Sequence, residues 1–254
     1  MKSLKIMILA AFVFIAVSST QALAEDAKVS GYTSVDVMSN YVWRGQKLSN
    51  SWVIQPSVGI AYGSFGANIW ANLDSDAEAL GADNRFKHTE TDLTATYGFS
   101  FDKLGLTAGY IYYALEGAND TQEIFLSANY DVLLKPTLTL YYDFVEGNGA
   151  FVVASVGHSF PITADIPLNL GASASFNINN KVMGPDKDGK DFSNFYNGEL
   201  SASVAIPLTK AISITPKAAY SFALSDDAKN AISSVSNDGK HDILYGGINL
   251  TLSF

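Results

Sequence analysis

Leu168-Asn169-Leu170-Gly171-Ala172-Ser173-Ala174-Ser175-Phe176-Asn177-Ile178-Asn179 alternates without a break. Leu168, Leu170, Ala172, Ala174, Phe176 and Ile178 share one parity, and only Asn, Gly and Ser occupy the other. Period two is the mark of a β-strand with two unlike faces. About eleven residues at 3.3 Å each, tilted by roughly 40°, rise about 28 Å, close to the height of the apolar band of a membrane barrel. The polar face is small and uncharged. It would make a poor water-facing exterior, which normally carries many charges. The expectation is therefore inversion, with apolar residues toward lipid and polar ones toward a lumen.

The same alternation recurs on both sides of this stretch. It runs from Val29 to Arg44, Trp52 to Tyr62, Phe65 to Asp74, Glu90 to Phe101, Leu104 to Tyr112, Ile124 to Val132, Leu138 to Phe144 and Val152 to Phe160. After the quoted strand it returns at Tyr196 to Ile206, Ile212 to Phe222 and Leu244 to Phe254. The expected fold is all-β: a transmembrane antiparallel up-and-down β-barrel of about twelve strands. Threaded up and down from a periplasmic N-terminus, the apolar-face aromatics fall at strand ends. Tyr41, Trp43, Trp52, Tyr112, Tyr142, Phe144, Phe176, Tyr196 and Phe222 are expected in an upper girdle. Tyr62, Phe65, Phe99, Phe101, Tyr130, Phe160 and Phe254 are expected in a lower one. Two aromatic belts around an aliphatic band match the two interfaces of a bilayer. The lower connections are short and three upper ones, 75–88, 181–194 and 225–242, are long, the usual asymmetry of such barrels. Pro56 and Pro216 fall inside strands, where each removes a ladder hydrogen bond. A bulge or broken ladder is expected at both.

Composition agrees. Apolar residues make up 48% and charged residues only 16%, against about 25% charged in an average soluble domain. Lys2 and Lys5, the apolar run Ile6 to Val17 and Ala22-Leu23-Ala24 form the three parts of a secretory signal. Cleavage is expected after Ala24, leaving 25–254 as a single outer-membrane barrel. Losing the two lysines takes the formal charge from −9 to about −11, which argues against nucleic acid as a partner. There is no cysteine, so disulfides and thiolate metal sites are excluded.

Ser39-Asn40-Tyr41-Val42-Trp43-Arg44-Gly45-Gln46, followed by Gln55-Pro56 and Asn68-Ile69-Trp70-Ala71-Asn72-Leu73-Asp74, resembles the TorF-type porin family of proteobacteria. The resemblance covers about the first seventy residues after the signal. It implies an outer-membrane barrel and says little about cargo. Leu250-Thr251-Leu252-Ser253-Phe254 is similar to the C-terminal signature of outer-membrane barrels in general, which implies that Phe254 is read by the outer-membrane assembly machinery.

Catalysis finds little support. His158 has lipid-facing parity and Ser159 the opposite, and no nucleophile motif accompanies them. Asp186 to Asp191 lacks the register of a calcium loop and reads as a solvated turn. The lumen is more informative. Inward parity gives Asp36, Asp74, Glu90, Asp92, Glu123, Asp143 and Glu199 against Arg44 and Lys217, so a net negative pore lining is expected. Arg44, at the upper rim, is expected to brace the first external loop rather than form a basic spot in the constriction, and Trp70 and Tyr113 to fill space rather than line a sugar slide. With mostly Gly, Ser, Asn, Thr and Ala inward, a narrow water-filled pore for small polar, preferentially cationic solutes follows, without cofactor. The rival is a structural or adhesive barrel that works through its external loops.

Overall fold

The computed structural model describes residues 28–77 and 86–254. The expected signal peptide and part of the 75–88 connection lie outside them. Twelve long strands run antiparallel. They are β1 (Val29–Met38), β2 (Val53–Tyr62), β3 (Phe65–Asp74), β4 (Lys87–Phe101), β5 (Leu104–Leu115) and β6 (Thr121–Tyr130). Then follow β7 (Thr137–Asp143), β8 (Gly149–Pro161), β9 (Pro167–Ile178), β10 (Ser193–Val204), β11 (Ile212–Ala223) and β12 (Ile243–Ser253). Each pairs with its neighbours in sequence. β1 also pairs with β12, Tyr32 opposite Ser253 through Met38 opposite Gly247, which closes the barrel and leaves no edge. Among the described residues no helix is long and apolar enough to cross a membrane. Strands are the elements that cross.

The faces are inverted as the alternation requires. Leu126, Leu138 and Leu200 are 53, 54 and 55% exposed on the outside. Asn68, Thr94, Thr96, Ser127, Thr139, Asn169, Thr215 and Asn249 are buried on the inside. Apolar groups on the outer wall and polar groups on the inner wall suit lipid outside and water inside. The lower girdle is in place, with Tyr62, Phe65, Phe99, Phe101, Tyr130, Phe160 and Phe254 all exposed at the end where connections are short.

The upper girdle needs three corrections. Tyr41, Trp43 and Tyr196 do not face lipid. β1 stops at Met38, and the chain turns inward so that Tyr41 is buried and Trp43 partly buried in the lumen. Tyr196 is fully buried because β10 carries a bulge. Ala174 pairs with Gly198 but Phe176 with Phe195, so an extra residue is inserted and Tyr196 and Asn197 both point inward. A second bulge lies between β3 and β4, where Asn72 pairs with Glu90 and Leu73 with His88.

Both prolines break the ladder. Pairing of β2 with β3 skips from Ile54–Leu73 to Ser57–Trp70, leaving out Gln55 and Pro56. Gln55 reaches across the gap with its side chain, donating to Asn72 Oδ1 at 3.0 Å. Opposite Pro216, β10 ends at Val204, and pairing resumes only at Ile206–Ile214.

Candidate functional site

The connection from β1 to β2 does not stay at the rim. Val42–Trp43 and Gln46–Lys47 form a two-residue hairpin in a sheet of its own. Arg44 (φ 49°) and Gly45 (φ 82°) make its turn. Positive φ at both central residues is what a tight hairpin of this twist demands. Gly45 is also needed for space, since a Cβ there would lie 3.1 Å from Cβ of Asn197 and 3.2 Å from Oγ of Ser221.

This hairpin crosses the lumen to the far wall. The Arg44 guanidinium donates Nη1 to Glu123 Oε1 at 2.8 Å and Nη2 to Oε2 at 2.7 Å. Its Cζ stands 4.5 Å from the ring centre of Trp43 and 4.6 Å from those of Tyr141 and Phe151. Tyr113 also donates to Glu123, at 2.9 Å. A planar, weakly hydrated cation suits a bidentate carboxylate and aromatic faces together, and lysine could not replace it. On the other side Gln46 donates to the Val182 carbonyl at 3.1 Å and to Tyr196 Oη at 3.0 Å.

Two apolar clusters fill the lumen around it. One joins Phe151, Met183, Phe192 and Tyr196 to Ala228, Ala231 and Ile232 of a helix, α1 (Asp226–Val235), in the last connection. The other joins Met38, Tyr41 and Val53, with Trp70 and Tyr245 against it. Trp43 packs on both. The segment after α1 then holds the hairpin from above. Lys47 N donates to Ser236 Oγ at 3.0 Å and Asn237 N to the Lys47 carbonyl at 2.9 Å. The Lys47 ammonium meets Asp238 at 2.8 Å. Burial alone would raise the Asp238 carboxyl, but hydrogen bonds from Lys47 and the Lys240 N–H, with both lysine charges, hold it below its usual range.

Of the nine charged residues expected in the lumen, Arg44 stands in the turn of the hairpin and not on the wall, and the other eight lie on barrel strands, in different roles. Lys217 pairs with Asp36 at 2.6 Å and Arg44 with Glu123, so both bases are engaged. Asp143 is fully buried, its oxygens taking Thr121 Oγ1 at 2.7 Å and Val145 N at 3.0 Å. Asp74 caps the chain at Asp76 N, 3.0 Å away. Glu90 lies beside Tyr41 and Asp92. Glu199 accepts from Tyr245 at 2.8 Å. Oδ1 of Asp92 and Oε1 of Glu199 are buried without a hydrogen-bond partner. Trp70 stacks at a tilt on Tyr41, ring centres 5.4 Å apart, filling space.

Parity missed the hairpin and α1. The signal for α1 was available: Ser225 followed by Asp226 and Asp227 is a helix start, and Ala228, Ala231 and Ile232 have helical spacing. Elsewhere, Ser159 donates to Asn169 at 2.6 Å while His158 contacts the Leu133 carbonyl at 3.0 Å, so the two turn away from each other. Asp186 Oδ1 is taken by the N–H groups of Asp188 and Lys190.

No family model matches the chain, and no curated protein matches it. Solved structures do. A NanC porin is 10% identical, with 87% of this chain and 98% of that one covered and a TM-score of 0.54. The KdgM porin in complex with disordered oligogalacturonate is 9% identical over 89% and 99%, with a TM-score of 0.51. An outer membrane channel from Pseudomonas putida F1 is 12% identical over 92% and 97%, with a TM-score of 0.52. The fold is that of a porin-like outer-membrane barrel.

Proposed function

We propose that this barrel is an outer-membrane channel for passive diffusion of small polar solutes, with a preference for cations. The observation that carries the reading is the imbalance of charge inside. Lys217 of the wall and Arg44 of the hairpin are both neutralised by carboxylates. One oxygen each of Asp92 and Glu199 is buried without a hydrogen-bond partner. Surplus fixed carboxylates in a narrow lumen concentrate cations. The inner face of the wall carries Ser, Thr and Asn side chains, groups that can hydrogen-bond a polar solute. A polyanion of the oligogalacturonate kind fits such a lumen poorly. Residues 1–24 would serve as the export signal and Phe254 as the handle for the assembly machinery, and the motif around Arg44 favours placement with the TorF-type porins.

Flux into protein-loaded lipid vesicles tests this reading. Small cationic and neutral polar solutes should enter faster than anions of equal size. Entry no faster than into empty vesicles would remove the channel. That outcome would favour the second reading, a structural barrel acting through its external loops, for which Trp43 joining two apolar clusters across the lumen speaks.

A further inference from the structure

We propose that the hairpin Val42–Lys47 is a gate, and that the segment following α1 is the latch that keeps it shut. The inference rests on the channel reading and concerns how the lumen opens. Three observations point to a movable element. First, the hairpin has its own two-stranded sheet and no ladder with the barrel, so it can swing without breaking a rung of the wall. Second, it obstructs the lumen where it stands. It arises between β1 and β2, its Arg44 reaches Glu123 on β6, and its Gln46 reaches Tyr196 on β10. Trp43 bridges the apolar clusters of the two sides.

Third, its inner and outer fastenings are unlike. The inner ones are dry: Arg44 with Glu123 has side-chain exposures of 8 and 0%, and buried Gln46 donates to the Val182 carbonyl and to Tyr196. The outer one is wet. Lys47 and Asp238 are 15 and 23% exposed, and the remaining links are single hydrogen bonds from Lys47 N to Ser236, and from Asn237 to the Lys47 and Leu48 carbonyls. Exposed ion pairs are weak and yield to salt, whereas buried ones do not. α1 seats on the cluster with Ala228, Ala231 and Ile232, two of them only a methyl deep. Release therefore begins at the latch: Asp238 and Asn237 part from the hairpin, α1 lifts, and the hairpin follows as a unit with Tyr41, Leu48 and Ser49, which are bonded to one another, hinging at Ser39, tied to Gly246, and at Ser51, tied to Ser75.

The chain has no cysteine, which allows a clean test. In a Lys47→Cys/Asp238→Cys variant, a short bis-methanethiosulfonate reagent bridges latch to hairpin, and dithiothreitol frees them. Single channels are recorded in planar bilayers alongside the wild type and a variant whose residues 41–49 are replaced by a short Gly-Ser linker. Heat-modifiable gel mobility confirms that each barrel is folded. The gate predicts intermittent openings in the wild type, openings several-fold rarer when bridged and restored by reduction, and near-continuous conduction in the shortened variant. Equal opening frequency before and after bridging overturns the gate and leaves the channel standing. A silent wild type beside a conducting shortened variant means a fixed plug, and also overturns it. Silence in all folded variants removes the channel reading, and the gate with it.

Discussion

Arg44 and Glu123, 79 positions apart, meet inside the lumen in a two-pronged ion pair of 2.8 and 2.7 Å, with almost no water contact. Taking both charges out of water is costly. The bidentate geometry, the Tyr113 hydroxyl and three aromatic rings around the guanidinium offset that cost. Removing one partner leaves the other buried without compensation. Arg44→Ala should destabilise the closed hairpin by about 3 to 5 kcal/mol, and Arg44→Lys should recover only part of the loss. Amide exchange at Leu48, whose N–H donates to the Tyr41 carbonyl at 2.8 Å, reads this directly. Unchanged protection at Leu48 would show that the pair does not hold the hairpin.

The orientation of the faces predicts a contrast between two arginine substitutions near mid-barrel. Leu200 stands on the outer wall, and Ser173 lies on the inner wall opposite Glu199. Leu200→Arg should cost roughly 2 to 4 kcal/mol at the bilayer midplane. Ser173→Arg should fold normally and can pair with Glu199. Urea titrations of vesicle-reconstituted protein measure both, and equal stabilities would contradict the inverted barrel.

Twelve strands and the inversion of their faces were legible because alternation reports burial on one side only, whatever the medium. The charge-poor polar face then decided which side was wet. What misled was alternation that outlasted the wall. Val35, Val37, Ser39, Tyr41 and Trp43 keep one parity, yet the barrel strand ends at Met38. Ser39-Asn40 and Gly45 carried turn chemistry that competed with the pattern. Tyr196 was misplaced for a different reason. A one-residue bulge flips every side chain beyond it, and parity cannot see the insertion. The luminal charges were found by parity, but their partners were not. Whether Asp143 meets water or Thr121 depends on register between strands, which no single strand reveals.

Phe254, directly after β12, helps to close the barrel against β1. Its N–H donates to the Gly31 carbonyl at 2.9 Å, Gly31 N donates back at 2.7 Å, and a Cβ on Gly31 would come within 2.8 Å of its ring. Deleting Phe254 should lower the amount of barrel in outer membranes and raise aggregated precursor. Gly31→Val should reproduce a milder version by displacing the ring. Fractionation and blotting measure both, and wild-type levels after deletion would contradict this role.

The Lys47–Asp238 latch should respond to acid. Its carboxyl is held below the usual value, so its contribution is fully present above about pH 4 and is lost as the pH falls through the depressed value. Being partly exposed, the pair should be worth less than about 1 kcal/mol. Asp238→Asn should raise opening frequency at pH 7, and the difference from wild type should shrink as the pH falls through the depressed value of the carboxyl. A difference that does not shrink with acid would assign the effect to something other than this charge.

The cation preference of the lumen is tested most directly by the zero-current potential of single channels in a KCl gradient. Asp92 and Glu199 carry the unpartnered oxygens, and permeating ions pass within a Debye length, about 8 Å at physiological salt, of the wall. The wild type should give a potential of the sign set by K⁺. Asp92→Asn/Glu199→Gln should move it toward zero with little change in unit conductance, and high salt should shrink the wild-type value. An anion-selective wild type, or a double variant that keeps the full potential, would contradict the reading of these carboxylates as the selectivity elements.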